Sequence, residues 1–152
     1  MKIYVIIDNI RSAYNVGSIF RTADGVGCCE ILVCGISPKP DHVKVQKTAL
    51  DATESVPWKY FKTVNDAIDF VQQKEIPVWS VELDPKAIEY TKVKFPNEVA
   101  LIFGHETEGI NKYTLEKSDK IIAIPMLGAK NSLNVATCAG IILYKAIENA
   151  KN

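Results

Sequence analysis

The sequence lacks the patterns by which several common ligands are recognised. No G-x-G-x-x-G follows the first apolar run and no G-x-x-x-x-G-K-[ST] occurs anywhere, so neither the dinucleotide nor the triphosphate fingerprint is present. The cysteines lack the C-x-x-C spacing of zinc and redox motifs. We therefore expect no metal site, and we expect four reduced cysteines in or beside the core: Cys28, Cys29, Cys34 and Cys138.

The sequence also lacks an excess of charge of either sign. Eighteen basic side chains balance eighteen acidic ones, so no overall field attracts the protein to nucleic acid or to an anionic membrane. A contact with RNA would need a local basic patch. There is no basic N-terminal region with a following apolar segment, and no apolar run is long enough to span a bilayer. We expect a cytoplasmic protein without membrane contact, folded as a single domain over residues 1–152.

What the sequence does contain is a regular alternation of short apolar runs and stretches of helical period. Strands are predicted at 3–7, 30–35, 77–83, 99–103 and 121–124, with a weaker one at 56–61. Helices are predicted at 14–27, 63–73, 111–117 and 133–147, with a weaker one within 44–55. This alternation is typical of the α/β class, in which a mostly parallel sheet carries helices on both faces.

The last predicted helix, 133–147, is apolar on nearly every side, and such a helix belongs in a core or an interface. The loop before it, 125–132, is polar and rich in small residues. Two other loops that follow strands, 8–15 and 104–111, have a similar composition. Because ligands bind beyond the carboxyl ends of parallel strands, we expect these three loops to form the ligand site.

The same three regions carry recognisable motifs. NVGSIFRTADGVG (15–27), LIFGHETEGI (101–110) and IPMLGAKNSLNVATCAGIILYKA (124–146) resemble, in order and spacing, the three motifs of the SpoU/TrmH family of RNA 2'-O-ribose methyltransferases, in the SPOUT superfamily. The resemblance covers nearly the whole chain. It implies a C-terminal trefoil knot, S-adenosylmethionine as cofactor, and a homodimer with its active sites at the subunit boundary.

The resemblance also implies catalytic residues. Arg21 matches the catalytic arginine of the first motif and Asn15 its neighbour, Glu106 matches the glutamate of the second, and Ser132 and Asn134 match the S-L-N element of the third. We expect Asn15 and Arg21, six positions apart, to face one cleft, and Ser132 to cap the final helix as well. Because a guanidinium stays protonated, Arg21 is better suited to orienting the hydroxyl and stabilising oxyanion charge than to acting as a base.

The cofactor site implied by the resemblance lies beside the third motif. Ile124, Met126, Ser132 and Leu133 would bind and frame the adenine, while Val81 and Gly104 would line the opposite side. Of the two histidines, His42 and His105, neither belongs to a recognisable triad or metal pair, and we expect both at the surface.

For RNA, we expect a local patch that positions phosphates without reading sequence, formed by Arg11, Arg21, Lys39, Lys44 and Lys47. A small structured RNA such as a tRNA is the expected substrate. Three alternatives remain open at this point. They are an RNA base methyltransferase, a noncatalytic RNA-binding homodimer that retains the fold, and a domain that binds a small nucleotide-like ligand without RNA.

Overall fold

A computed structural model describes residues 1–150 of the chain, with side-chain environments for residues 1–148. Its strands are β1 (Lys2–Asp8), β2 (Cys29–Cys34), β3 (Trp58–Phe61), β4 (Val78–Val81), β5 (Ile88–Glu89), β6 (Glu98–Phe103) and β7 (Lys120–Ala123). Its helices are α1 (Ala13–Val26), α2 (Val43–Ala49), α3 (Ala52–Ser55), α4 (Val64–Gln72), α5 (Lys112–Lys117) and α6 (Val135–Ala150), and a 3₁₀ turn covers Tyr90–Lys92.

The strands form one seven-stranded sheet in the order β3-β2-β1-β6-β4-β7-β5, and each pairing between these strands is parallel. Successive strand residues point to opposite faces. In β1, Ile3, Val5 and Ile7 pack in the cluster that contains α1 and α6, whereas Tyr4 and Ile6 pack in the cluster that contains α4. The prediction of a mostly parallel sheet with helices on both faces is confirmed.

Local signals account for where several helices begin and end. Thr63 and Asp66 form a reciprocal cap at the start of α4. The hydroxyl of Thr63 accepts from the backbone N–H of Asp66 at 3.2 Å, and the carboxylate of Asp66 accepts from the backbone N–H of Thr63 at 3.1 Å. Ser12 caps α1, which ends at Gly27 with φ of 78°. These contacts bind backbone groups that a helix terminus would otherwise leave unpaired.

Three sequence predictions need correction. The weak helix within 44–55 is two helices, α2 and α3, because Leu50 and Asp51 adopt positive φ angles of 47° and 67° and interrupt the helical path. The segment between the predicted strands at 77–83 and 99–103, where no strand or helix was predicted, contains the short strand β5 and the 3₁₀ turn. Ser132 does not cap α6. The cap is Asn134, directly before the first helical residue, whose side-chain oxygen accepts from the backbone N–H groups of Ala136 and Thr137 at 2.9 and 3.2 Å.

The sheet order places four strand ends side by side. From β1 the sheet extends on one side through β2 and β3. The later strands lie on the other side of β1, where β6 is its direct neighbour and β4, β7 and β5 follow. The carboxyl ends of β1, β6, β4 and β7 are therefore neighbours at one edge of the sheet. The strand order reverses at this point, which is where open parallel sheets bind ligands.

Helix α6 buries only one side within the chain. Ala139, Ile142, Leu143 and Ala146 are fully buried in the core cluster that also contains α1, whereas Tyr144 is 52% exposed. The helix that is apolar nearly all round thus leaves apolar surface uncovered in the single chain. Within the described residues, no helix has the length and apolar character needed to cross a bilayer.

Candidate functional site

A cleft of about 490 Å³ opens at the carboxyl ends of β4, β6 and β7. Its walls are the ends of these strands and the segments that follow them. The residues lining it are Val81, Glu82, Leu83, Phe103, Gly104, His105, Glu106, Thr107, Glu108, Gly109, Ile110, Leu115, Ala123, Ile124, Met126, Asn131, Ser132, Leu133, Val135 and Cys138. We call this the main cleft.

The main cleft contains all six residues expected to contact a cofactor. Val81 and Gly104 lie on one side, and the segment after β7 supplies the other four: Ile124, Met126, Ser132 and Leu133. Glu106 of the second motif lines the same cleft. The structure therefore brings parts of the second and third motifs together around one cavity of a size typical for small-molecule sites.

The charge of the main cleft limits what it can bind. Its described lining contains three carboxylates, Glu82, Glu106 and Glu108, and neither lysine nor arginine. A negative cavity attracts cationic ligands and repels polyphosphates. This agrees with the missing phosphate-binding fingerprints and favours a ligand that carries positive charge.

Glu106 links the second motif to the loop after β1. Its carboxylate accepts from the backbone N–H groups of Arg11 at 3.0 Å and Ser12 at 2.9 Å, and from the side-chain amide of Asn15 at 3.2 Å. Partial burial raises the pKa of Glu106, but the backbone N–H donors of Ser12 and Arg11 outweigh it and hold this pKa below the ordinary value. Glu106 is thus an ionised acceptor near neutral pH.

A chain of amide hydrogen bonds extends from Glu106 to the third motif. Asn15 donates to Glu106 and accepts, through its side-chain oxygen, from the amide nitrogen of Asn134 at 3.1 Å. Asn134 at the same time caps α6. Three predicted catalytic residues from three separate motifs are therefore in one hydrogen-bonded row, which fixes the N-termini of α1 and α6 relative to the loop after β6.

Arg21 does not join this row within the chain. It is exposed and lines a separate pocket between α1, α2 and α6, with Lys47, Thr48 and Tyr144. Six residues advance a helix by about 600°, so the two side chains are about 120° apart around α1. Asn15 does not line the pocket that contains Arg21, and the single chain therefore does not bring the two residues together in that pocket.

The expected basic patch is also divided. Arg11 and Lys44 lie in a cleft beside the loop after β6, whereas Arg21 and Lys47 lie in the pocket between the helices. Lys39 sits over the ring of Tyr60 at 4.6 Å. The sequence prediction grouped these side chains because they lie near strand ends in the sequence. That position does not determine the direction in which a side chain points, so the five residues do not form a single patch.

Sequence reasoning missed Glu82, which follows β4 directly. Its carboxylate accepts from the backbone N–H groups of Ile110 at 3.0 Å and Leu83 at 2.9 Å. A Cβ atom at Gly109, where φ is 66°, would lie 2.5 Å from this carboxylate, so only glycine fits there. The available signal was an acidic residue directly after a buried strand. The loop after β4 contains no glycine, however, and it was not grouped with the three loops expected to form the ligand site.

Four other polar or thiol groups around the site have distinct environments. Asp8, at the end of β1, is 3% exposed, and burial raises its pKa to about 6. Cys138 lines the main cleft, and burial raises the pKa of its thiol to about 12, so it is an uncharged wall residue. His42 is exposed, as expected, whereas His105 is half-buried and its Nδ1 accepts from the backbone N–H groups of Thr107 and Glu108.

Cys28, Cys29, Cys34 and Cys138 are free thiols, three of them with pKa values raised mainly by burial well above the ordinary value. Among residues with described side chains, no group of three or more metal-ligating side chains occurs.

With this geometry in place, comparison with known proteins gives the family. The model of the SpoU rRNA Methylase family matches residues 2–144, and the chain belongs to this family. The membership expected from the three motifs is therefore confirmed.

Two characterised relatives show how the chain compares with longer enzymes. It is 32% identical over 145 residues to the 23S rRNA (guanosine-2'-O-)-methyltransferase RlmB of Salmonella typhi, covering 94% of this chain and 58% of the relative. It is 28% identical over 148 residues to the tRNA (guanosine(18)-2'-O)-methyltransferase of Escherichia coli strain K12, covering 97% of this chain and 64% of the relative. The chain thus spans about three fifths of the length of these enzymes.

A solved structure matches the fold over nearly the whole chain. The crystal structure of the SpoU methyltransferase AviRb from Streptomyces viridochromogenes, in complex with the cofactor AdoMet, aligns with a TM-score of 0.90 and 25% identity. The alignment covers 99% of this chain and 58% of that protein.

Proposed function

We propose that this protein transfers a methyl group from S-adenosylmethionine to a ribose 2'-hydroxyl of RNA, with tRNA as the first candidate substrate. The observation that carries the proposal is the main cleft, where motif residues meet around a cavity whose described lining has three carboxylates and neither lysine nor arginine. The names of the two enzyme relatives support a 2'-O-methyl product, and they support rRNA as well as tRNA as the acceptor class.

S-adenosylmethionine suits the main cleft by charge and by the apolar character of part of its lining. The cofactor bears a sulfonium and an ammonium cation against a single carboxylate, and this net positive charge suits a cavity lined by Glu82, Glu106 and Glu108. Ile124, Met126 and Leu133 provide apolar walls for an adenine ring. When bound, the cofactor supplies an electrophilic methyl group for in-line attack by the acceptor oxygen.

The chain's own residues would prepare the acceptor. Glu106 is fully engaged by N–H donors of the loop after β1, so its role is to hold that loop and Asn15 in place. The amides of Asn15 and Asn134 would position the ribose at the mouth of the cleft. Arg21, always protonated, would orient the attacking hydroxyl and stabilise the negative charge that develops on it.

We propose that Arg21 acts across a homodimer interface. Within the chain it lies outside the main cleft, so a second copy would have to bring it to the acceptor. The uncovered side of α6 next to the Arg21 pocket, where Tyr144 is half exposed, supports α6 and α1 as the dimer surface. The family's active sites at the subunit boundary are compatible with this arrangement.

Two structural expectations belong to the same proposal. The segment after β7 lies against the ends of β4 and β6 before α6 returns to pack on α1, and this path supports a trefoil knot formed by the last third of the chain. The single continuous sheet supports one methyltransferase domain over residues 1–152.

Titration calorimetry tests the cofactor first. Purified protein is titrated with S-adenosylmethionine and S-adenosylhomocysteine, with ATP and NAD as controls. We expect saturable binding of the first two ligands and none of the controls, because the cavity has no cation to hold phosphates. Binding of ATP or NAD alone would favour a nucleotide-binding domain. RNA binding without cofactor binding would favour the noncatalytic RNA-binding dimer.

A further inference from the structure

A second cleft, also of about 490 Å³, lies beside the loop after β6. We call it the Tyr14 cleft. Its distinguishing walls are the rings of Tyr14 and Pro38. Arg11 and Lys44 supply its cations, and His42 and His105 also line it. Neither Tyr14 nor Pro38 has a role in the cofactor site described above.

Tyr14 presents an aromatic surface in a fixed position. It lies in the first turn of α1 and is 48% exposed. Its backbone carbonyl accepts a hydrogen bond from the hydroxyl of Thr48 at 2.9 Å, which ties this turn to α2. The ammonium group of Lys44 lies 6.0 Å from the centroid of the ring. A half-exposed aromatic ring with a cation beside it is the combination that binds unpaired bases and their phosphates.

The charge of the Tyr14 cleft is opposite to that of the main cleft. Glu106 is the acidic residue in its described lining, and its carboxylate is occupied by the N–H donors of Arg11, Ser12 and Asn15. The side chains of Arg11 and Lys44 are exposed and carry positive charge. An anionic, flat ligand therefore suits this cleft, whereas the main cleft suits a cation.

The two clefts share one wall. His105, Glu106 and Thr107 line both of them, so only this turn of chain separates the Tyr14 cleft from the main cleft. A strand of RNA that places a ribose at the row of Asn15, Glu106 and Asn134 would have an adjacent base within reach of Tyr14.

We propose that the Tyr14 cleft holds an unpaired base of the RNA, at or next to the methylated nucleotide, stacked on Tyr14 with neighbouring phosphates at Arg11 and Lys44. This assignment rests on the proposed function, because it requires an RNA substrate. It adds a base-binding site that selects single-stranded or loop nucleotides, since a base can reach the ring only when it is unpaired.

Binding of labelled total tRNA and, in parallel, total rRNA tests the assignment. Affinities are measured by fluorescence anisotropy over a series of salt concentrations. We expect Tyr14→Ala to weaken binding roughly 5- to 100-fold without changing the salt dependence, and Tyr14→Phe to stay within about two-fold of the native protein. Lys44→Ala should weaken binding and reduce the salt slope by about one.

The matched control is Tyr113→Ala. Tyr113 is also an exposed helical tyrosine with a lysine, Lys117, near its ring at 5.6 Å, but it lines neither cleft. The Tyr113→Ala variant should bind RNA with the affinity of the native protein. All variants should bind S-adenosylhomocysteine normally, which shows that the main cleft is intact.

The possible results separate two failures. If the native protein binds and methylates RNA but Tyr14→Ala binds as well as Tyr113→Ala, the base site is wrong and the proposed function stands. If the native protein binds neither tRNA nor rRNA, both are wrong.

Discussion

At the scale of single residues, two carboxylates near the site have opposite environments. Glu106 accepts backbone N–H groups that hold its pKa below the ordinary value despite partial burial. For Asp8, burial raises the pKa to about 6, against lowering contributions from the amide of Asn9 and the charge of His105. The structure stabilises the ionised form of Glu106 and destabilises the ionised form of Asp8. The difference arises because Glu106 has enough hydrogen-bond donors to replace the water lost on burial, whereas Asp8 does not.

Asp8→Asn should change the pH dependence of stability. A folded pKa of about 6 against an ordinary value of 3.8 means that the folded state binds the proton more tightly than the unfolded chain. The contribution of protonated Asp8 to the free energy of unfolding is therefore fully present below about pH 4, and it is lost as the pH rises through about 6. Asn is neutral and keeps the acceptor for the amide of Asn9.

Urea unfolding measures this effect. At about pH 8, Asp8→Asn should be more stable than the native protein by up to about 3 kcal/mol, and the difference should vanish near pH 4. An equal difference at both pH values, or a less stable variant at about pH 8, would contradict the environment assigned to Asp8.

Residue identities at the site were largely available from the motifs, but their geometry was not. All six residues predicted to contact a cofactor line one cleft together with Glu106, as the grouping of the three loops led us to expect. In the single chain Arg21 lies outside the main cleft, because spacing along α1 gives a direction only relative to that helix and does not encode the surface of a proposed partner subunit. Ser132 was misassigned as a cap because the helix begins two residues later than its apolar pattern.

At the scale of elements, the close approach of α1 and α2 depends on Gly17. A Cβ atom at this position would lie 2.0 Å from the hydroxyl of Thr48 and 2.3 Å from the carbonyl oxygen of Val45. The second atom belongs to the backbone and cannot rotate away. The two helices would have to separate, which would also disturb the hydrogen bond from Thr48 to Tyr14.

Gly17→Ala should therefore destabilise the protein by about 1–3 kcal/mol, although alanine is the better helix former. Thermal and urea unfolding measure the loss. Gly128→Ala is the control, because no atom lies within 4 Å of a Cβ built there, and its stability should stay within about 1 kcal/mol of the native protein. Unchanged stability of Gly17→Ala would show that the helices are not packed this closely.

Most elements were predictable because their periodicity is strong. Buried strands such as β1 and β6 are continuous apolar runs, and α4 has both a clear stripe and a reciprocal cap. The two-residue strand β5 has no periodic signal of its own, since its pairing with β7 is a tertiary contact. The break between α2 and α3 depends on positive φ angles at residues other than glycine, for which sequence gives little warning.

At the scale of the whole molecule, the order of the strands determines the site. The sequence predicted parallel strands but not that β6 would lie beside β1, which brings Glu106 to the backbone of Arg11 and Ser12 across more than ninety residues of chain. Such pairings arise from the global packing of the sheet. The same limit applies to the proposed homodimer, because an apolar helix predicts an interface without indicating its partner.

Methyl transfer to a ribose 2'-hydroxyl can be detected directly in the product RNA. The protein is incubated with methyl-labelled S-adenosylmethionine and total tRNA or rRNA, and the RNA is then hydrolysed in alkali. Methylation of the 2'-oxygen blocks cleavage at the following phosphate, so we expect the label in alkali-resistant dinucleotides. Arg21→Ala should bind the cofactor normally and transfer no label, since Arg21 lies outside the main cleft.

Label recovered only in mononucleotides would indicate base methylation and contradict the account. Cofactor binding with no label in either RNA class would also contradict it. Full transfer by Arg21→Ala would leave the reaction in place but overturn the role given to Arg21.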